Sequence, residues 1–360
     1  MQIRFLALML IFQSVVACKQ DSENIQSVAI ANFDLPSLVA YPQCQGKARP
    51  TAANLVFQSV DGGRTWQDVS AGLPENLQVE GVFASGGEIF LGSGKGLFHR
   101  SATDATSVWE KEIFLDGRIT DVSLGRSGLY ASSYGLGLFQ KIPGIDIWKD
   151  LSNALPDKTI RTGLETPDGA IFIGTDNGIF KSTNGGQSWK QVLAEGMVLN
   201  IVTSGGVLIS GGSRGVLRST DGGEHWDSVL DENILAKKTG LLQDRFVTIL
   251  GTKDPTVVNP NGITSRLRAS ADGGKTWQRL ERPLLPVEGR YEVDEDLAQI
   301  RDIFDIVQVG SQLFCSFDTG IYRSSDQGKT WELVFPSNGK GSFNLGVSGQ
   351  VIYAAPGGGC

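Results

Sequence analysis

Ser59-Val-Asp61-Gly-Gly63-Arg-Thr65-Trp66 recurs almost unchanged as Ser182-Thr-Asn184-Gly-Gly186-Gln-Ser188-Trp189, Ser219-Thr-Asp221-Gly-Gly223-Glu-His225-Trp226, Ser270-Ala-Asp272-Gly-Gly274-Lys-Thr276-Trp277 and Ser324-Ser-Asp326-Gln-Gly328-Lys-Thr330-Trp331. Each copy ends on a tryptophan, and the remaining two of the chain's seven tryptophans, Trp109 and Trp148, close degenerate copies. Successive tryptophans lie 43, 39, 41, 37, 51 and 54 residues apart. That spacing fits a four-stranded propeller blade, not a helical solenoid unit. Seven copies predict an all-β chain folded as one seven-bladed ring.

The repeat is built to turn. Asp or Asn followed by Gly-Gly supplies a side chain that bonds its own backbone and residues that accept positive φ, the makings of a tight hairpin. The Ser and Thr hydroxyls can bond local backbone, and the tryptophan anchors the turn against its blade. Asp61, Trp66, Asn184, Trp189, Asp221, Trp226, Asp272, Trp277, Asp326 and Trp331 therefore read as structural, because every copy repeats without the asymmetry of a catalytic site. The octapeptide resembles the Asp-box, or BNR repeat, of sialidases, of the photosystem II assembly and stability factor family, of xyloglucan-cleaving glycosidases and of sortilin-type receptor propellers. The resemblance covers roughly residues 51 to 356. It implies that the boxes lie away from the functional face.

Short apolar runs bounded by glycine surround each box, such as Glu88-Ile-Phe-Leu-Gly92 and Ala170-Ile-Phe-Ile-Gly174, and no helical period competes with them beyond the leader. The first box is preceded only by Asn54-Leu-Val-Phe57, while the chain's end supplies Phe343 to Val347 and Gln350 to Ala354 with no box after them. The two ends thus complete one blade, two inner strands coming from the C-terminus and two outer strands from the N-terminus. Such closure leaves no free sheet edge.

Residues 1–17 read as a lipoprotein signal peptide. Arg4 gives the positive start, Phe5 to Phe12 a short apolar core, and Val15-Val-Ala-Cys18 a lipobox whose Cys18 would carry the lipid. Residues 18–50 read as the lipidated cysteine and a flexible tether, and 51–360 as the propeller. Cys44 and Cys360 flank the closure and are a possible disulfide in an exported protein, whereas Cys315 sits within a strand and reads as a small core residue. The expected location is the bacterial cell envelope, on the periplasmic side of the outer membrane or at the cell surface.

With 32 basic and 39 acidic residues the net charge is −7, and charges alternate without forming a basic cluster, which argues against a nucleic-acid partner. The only histidines, His99 and His225, lack the partner spacing of a metal site, and no phosphate-binding glycine loop is present, so no metal or cofactor is expected.

Function is expected on the face opposite the boxes, where two insertions fall: Thr252 to Arg266 and Glu281 to Arg301, the second carrying Arg290-Tyr-Glu-Val-Asp-Glu-Asp296. Arg118, Arg161 and Arg301 lie near the starts of inner strands, and with Tyr291 they are the candidate ligand-binding residues. A sialidase-like enzyme would need three arginines for a carboxylate, a Tyr–Glu nucleophile and an Asp acid/base; Tyr291, Glu292 and Asp302 offer those types, but the early Arg-Ile-Pro motif is missing. Xyloglucan-cleaving relatives pair two rings, whereas this chain encodes one. The reading is a lipid-anchored, monomeric binding or assembly module recognising a protein or a glycan, with glycoside hydrolysis at the propeller mouth as the alternative. No catalytic residue is assigned.

Overall fold

The computed structural model describes residues 54–252 except 86, 105, 146 and 231–233, then 265–280 and 303–357. Among the described residues there are 28 strands and no helix. They form seven four-stranded antiparallel sheets, the blades of a seven-bladed β-propeller. The inner strands are β3 (Val79–Ser85), β7 (Arg118–Gly125), β11 (Ile160–Glu165), β15 (Val198–Ser204), β19 (Ile234–Leu242), β23 (Ile303–Val309) and β27 (Phe343–Ser348). Each touches the next, and β27 touches β3, so the ring is closed. The first six blades are consecutive groups of four strands. The seventh is composite, in the order β2 (Gln67–Asp68), β1 (Phe57–Ser59), β28 (Val351–Pro356), β27.

The closing strand begins later than the sequence suggests. Asn54 stands at φ 59°, with its N–H held by Asp68 Oδ2 at 2.8 Å, so the chain bends there and sheet pairing starts at Phe57, opposite Ala354. Residues 253–264 and 281–302, which carry most of both insertions with Tyr291, Glu292, Arg301 and Asp302, lie outside the described residues, as do Cys18, Cys44 and Cys360.

The boxes fold as their composition dictates. Asp61 Oδ1 accepts the N–H groups of Arg64 and Thr65 at 2.9 Å each, and Oδ2 accepts the Thr65 hydroxyl at 2.7 Å. Ser59 Oγ donates to the same carboxylate and accepts the Gly63 N–H at 2.8 Å. The Asp272 and Asp326 boxes repeat this arrangement. In the Asp221 box the ring of His225 takes the threonine's place, 2.6 Å from Asp221 Oδ2. Gly62 and Gly63 stand at φ 73° and 83°; in the last box Gln327 holds the first of these positions at φ 62°, where a side chain is strained.

The core is divided among the blade interfaces. Seven apolar clusters each join two neighbouring blades, and each contains one tryptophan, contributed by the later blade and packed against the earlier one. Trp66 stacks on Phe335 of the sixth blade with centroids 4.8 Å apart. Trp109, 3 % exposed, donates its indole N–H to Val69 O at 2.7 Å. The tryptophans thus anchor blade to blade as well as holding their own turns: Trp66, Trp226 and Trp331 donate their indole N–H to the carbonyls of Gly63, Gly223 and Gly328 at 3.2, 3.1 and 3.0 Å. A second tie runs beside them: the cation immediately before a box serine reaches the first glycine carbonyl of the next box. Lys181 bonds Gly222 O at 2.8 Å, Arg218 bonds Gly273 O at 2.7 Å and Arg323 bonds Gly62 O at 2.6 Å.

Candidate functional site

Inner strands begin, and second strands end, on the face opposite the boxes, so their termini surround one mouth of the axial channel. Six inner strands break register at the same place. The extra residue is Glu80 in β3, Thr120 in β7, Arg161 in β11, Leu199 in β15, Lys237 in β19 and Phe304 in β23, while β27 pairs without a shift. Bulges re-aim side chains. Here they set a chemically mixed ring at this mouth.

Two of the sequence candidates meet there, through a residue that sequence reading missed. Tyr134 ends β8 (Gly128–Tyr134) directly opposite Arg118 in register. The Arg118 and Arg161 guanidiniums lie 5.7 and 5.2 Å from the centroid of its ring. Arg118 is clamped by Glu80 of the first blade through two bonds of 2.9 Å. Arg161 Nε pairs with Asp176, whose other oxygen accepts the Tyr134 hydroxyl at 2.7 Å. That hydrogen bond, with the negative charge of Asp176, raises the phenol pKa above its ordinary 10.0. The result is a cation–aromatic–cation stack spanning three blades, each cation backed by a carboxylate. Among the described residues the terminal nitrogens of Arg161 have no protein acceptor. The only signal in the sequence is that Tyr134 ends a second strand beside a Gly-Leu-Gly turn, which says nothing about the neighbouring blade.

Deeper in the channel the titratable groups are committed. Asp305, 1 % exposed, accepts Leu345 N–H of the next blade at 2.9 Å and Ile306 N–H at 2.7 Å, and pairs with Lys238 Nζ at 2.5 Å. Asp121 accepts the Thr162 hydroxyl at 2.7 Å and the Gly163 N–H at 3.4 Å. Burial raises its pKa, opposed by those bonds and by the charge of Lys238. Asn200 likewise accepts Thr239 N–H at 2.9 Å. All three side chains staple one inner strand to the next, so Asp121 and Asp305 are not presented as the two open carboxylates that glycoside hydrolysis needs.

His99 lies 3.5 Å from Glu88 and 3.8 Å from Glu112, and Glu112 is already engaged by Lys141 at 2.7 Å and Trp148 at 3.2 Å. No cluster of three potential metal ligands occurs among the described residues. An opening lies at the other, box-side end of the channel, a cleft of about 400 Å³ lined by Leu241, Gln243, Ile306, Gln308, Gly310 and Val347. It holds no charged group. Recognition of a polar ligand depends on placed charges, which favours the Arg118–Tyr134–Arg161 side over this uncharged cleft.

A BNR/Asp-box repeat model matches residues 322–333, the last of the turns described above. The repeated turn is an Asp-box. No curated protein sequence matches the chain. Solved propellers do. The extracellular domain assigned to a hybrid two-component system of B. thetaiotaomicron shares 13 % identity at a TM-score of 0.58, over 80 % of this chain and 38 % of its own. YCF48 bound to D1 peptide shares 16 % at 0.55, over 79 % of this chain and 93 % of its own. An ancestral GH74 enzyme shares 17 % at 0.52, over 79 % and 40 %. The chain thus spans about two fifths of the two-component-system and GH74 chains and matches nearly the whole of YCF48. At these identities the likeness is one of fold.

Proposed function

We propose that the Asp-box ring is an exported binding or assembly module, anchored at the cell envelope through Cys18, that takes a carboxylate-bearing segment of a protein or glycan at the mouth opposite the boxes. The observation that carries the reading is Arg161: its Nε is spent on Asp176, its ring-side face on Tyr134, and its terminal N–H groups face no acceptor among the described residues. A guanidinium held on two sides with its fork open suits a planar anion. Arg118 supplies the second cation, and Tyr291 and Arg301 remain proposed members of the same face. Support by analogy comes from YCF48, a single ring of similar length solved with a peptide bound. The glycosidase alternative draws on the ancestral GH74 enzyme, but there the ring covers only 40 % of the chain.

The test is capture of carboxylate-terminated peptides and acidic glycans on arrays by wild type and by Arg161→Gln, with melting temperatures measured beside it and hydrolysis assayed on sialosides and xyloglucan. Loss of capture at an unchanged melting temperature supports the reading. Equal capture by the two proteins overturns it, and turnover by wild type favours the enzyme. Incorporation of an alkyne-tagged fatty acid into wild type but not Cys18→Ala tests the anchor.

A further inference from the structure

We propose that the Ile113–Phe114 knuckle inserts into a lipid bilayer, giving the ring a hold on the membrane beside the lipid expected at Cys18. The inference rests on the anchored reading above and deepens it. The knuckle lies in the link between β6 (Glu110–Lys111) and β7, on the face opposite the boxes. Both ends of the link are pinned. Glu112 is 6 % exposed, donates its N–H to Leu97 O at 2.9 Å and binds Lys141 and Trp148; Leu115 is fully buried and its carbonyl accepts Leu97 N–H at 3.2 Å. Between these anchors Ile113 is 71 % and Phe114 82 % exposed. Phe114 stands at φ 76°, a conformation that a bulky residue holds only when its surroundings impose it. Leu136, 45 % exposed, packs on the same link: a Cβ on Gly117 would come within 2.3 Å of its Cδ1.

The size and chemistry of this surface favour lipid over a protein. One large aromatic side chain covers about 150–250 Å², and three apolar side chains fall well short of the roughly 800 Å² that each partner of a stable complex contributes. The nearby charges are spent within the ring: Lys111 pairs with Asp116, Arg118 with Glu80 and Lys141 with Glu112. Lys95 is exposed in the first-blade turn whose Gly96 packs against the Leu115 carbonyl, and would serve as a headgroup contact. The position of the chain outside the described ring adds the orientation. Residues 1–53 join it at Asn54, just before β1, and third strands start on this same face. A lipid on Cys18 would bring the chain to a bilayer, and the chain enters the ring on the face that carries the knuckle.

The test uses the full-length chain, as wild type and as Cys18→Ala, sedimented with vesicles of phosphatidylethanolamine and phosphatidylglycerol. In both backgrounds Phe114→Gly should lower the vesicle-bound fraction constant about tenfold while holding or raising the melting temperature, because glycine takes φ 76° without strain. Ile113→Ser should act in the same direction. Unchanged partitioning in Phe114→Gly overturns the proposal. So does a Phe114-dependent dimer of wild type in vesicle-free light scattering, which would assign the knuckle to a second copy. Loss on Cys18→Ala with none on Phe114→Gly keeps the anchor and removes the knuckle; the converse keeps the knuckle and removes the anchor.

Discussion

Arg323 donates to the carbonyl oxygen of Gly62 at 2.6 Å across 261 residues of sequence, tying the sixth blade to the box of the blade that closes the ring. The side chain is only 16 % exposed and also pairs with Glu332. Hydrogen bonds from charged groups contribute about 1.5–3 kcal/mol. Arg323→Gln should therefore destabilise the ring by about 2 kcal/mol in urea unfolding. The equivalent tie from Arg218 to Gly273 lies in a different interface, so the two losses should add.

Gln327 holds a left-handed conformation that glycine holds in the other boxes. Gln327→Gly should stabilise the protein by about 1 kcal/mol, because relief of backbone strain exceeds the entropy that glycine adds to the unfolded chain. A lower melting temperature for this variant would show that the glutamine side chain stabilises the turn.

The box carboxylates predict an acid limit. Asp61 is held at about 2 against an ordinary 3.8, chiefly by the Thr65 hydroxyl, and Asp326 at about 2, chiefly by the Thr330 N–H; Asp221 and Asp272 are lowered likewise. Each is deprotonated more readily folded than unfolded, so its stabilisation is complete above the unfolded value and lost as pH falls from about 4 toward 2. Melting temperature should drop steeply over that window, and less so in Asp61→Asn.

Trp109 is almost fully buried between the closing and first blades, with its indole N–H on Val69 O. Trp109→Ala should cost about 3–5 kcal/mol. Trp109→Phe should cost less, leaving mainly the unpaired carbonyl. If the two variants prove equal, the hydrogen bond carries the interface and the packing does not.

The ring was legible because its design is periodic. Seven tryptophans at blade spacing, and a boxless C-terminal end facing a strand-poor N-terminal start, are properties of a linear string. What joins blade to blade is not. Nothing in the string says that Lys181, Arg218 and Arg323 reach the following box, although their shared place before a box serine was there to be noticed. Tyr134 escaped for the same reason, since its partners Arg161 and Asp176 belong to the next blade and its significance lies in the stack. Arg118 and Arg161 were found by position at strand starts, but their carboxylate partners Glu80 and Asp176 were not.

The composite blade sets a condition on how the protein matures. β1 and β2, the earliest strands to leave the ribosome, find their sheet partners in β27 and β28, the latest. Until β27 and β28 have been made those early strands have no sheet to join, and the first and sixth blades lack the wedge between them. A chain that lacks those two strands is therefore kept from locking shut, and the circle can be completed on whichever side of a membrane they are delivered.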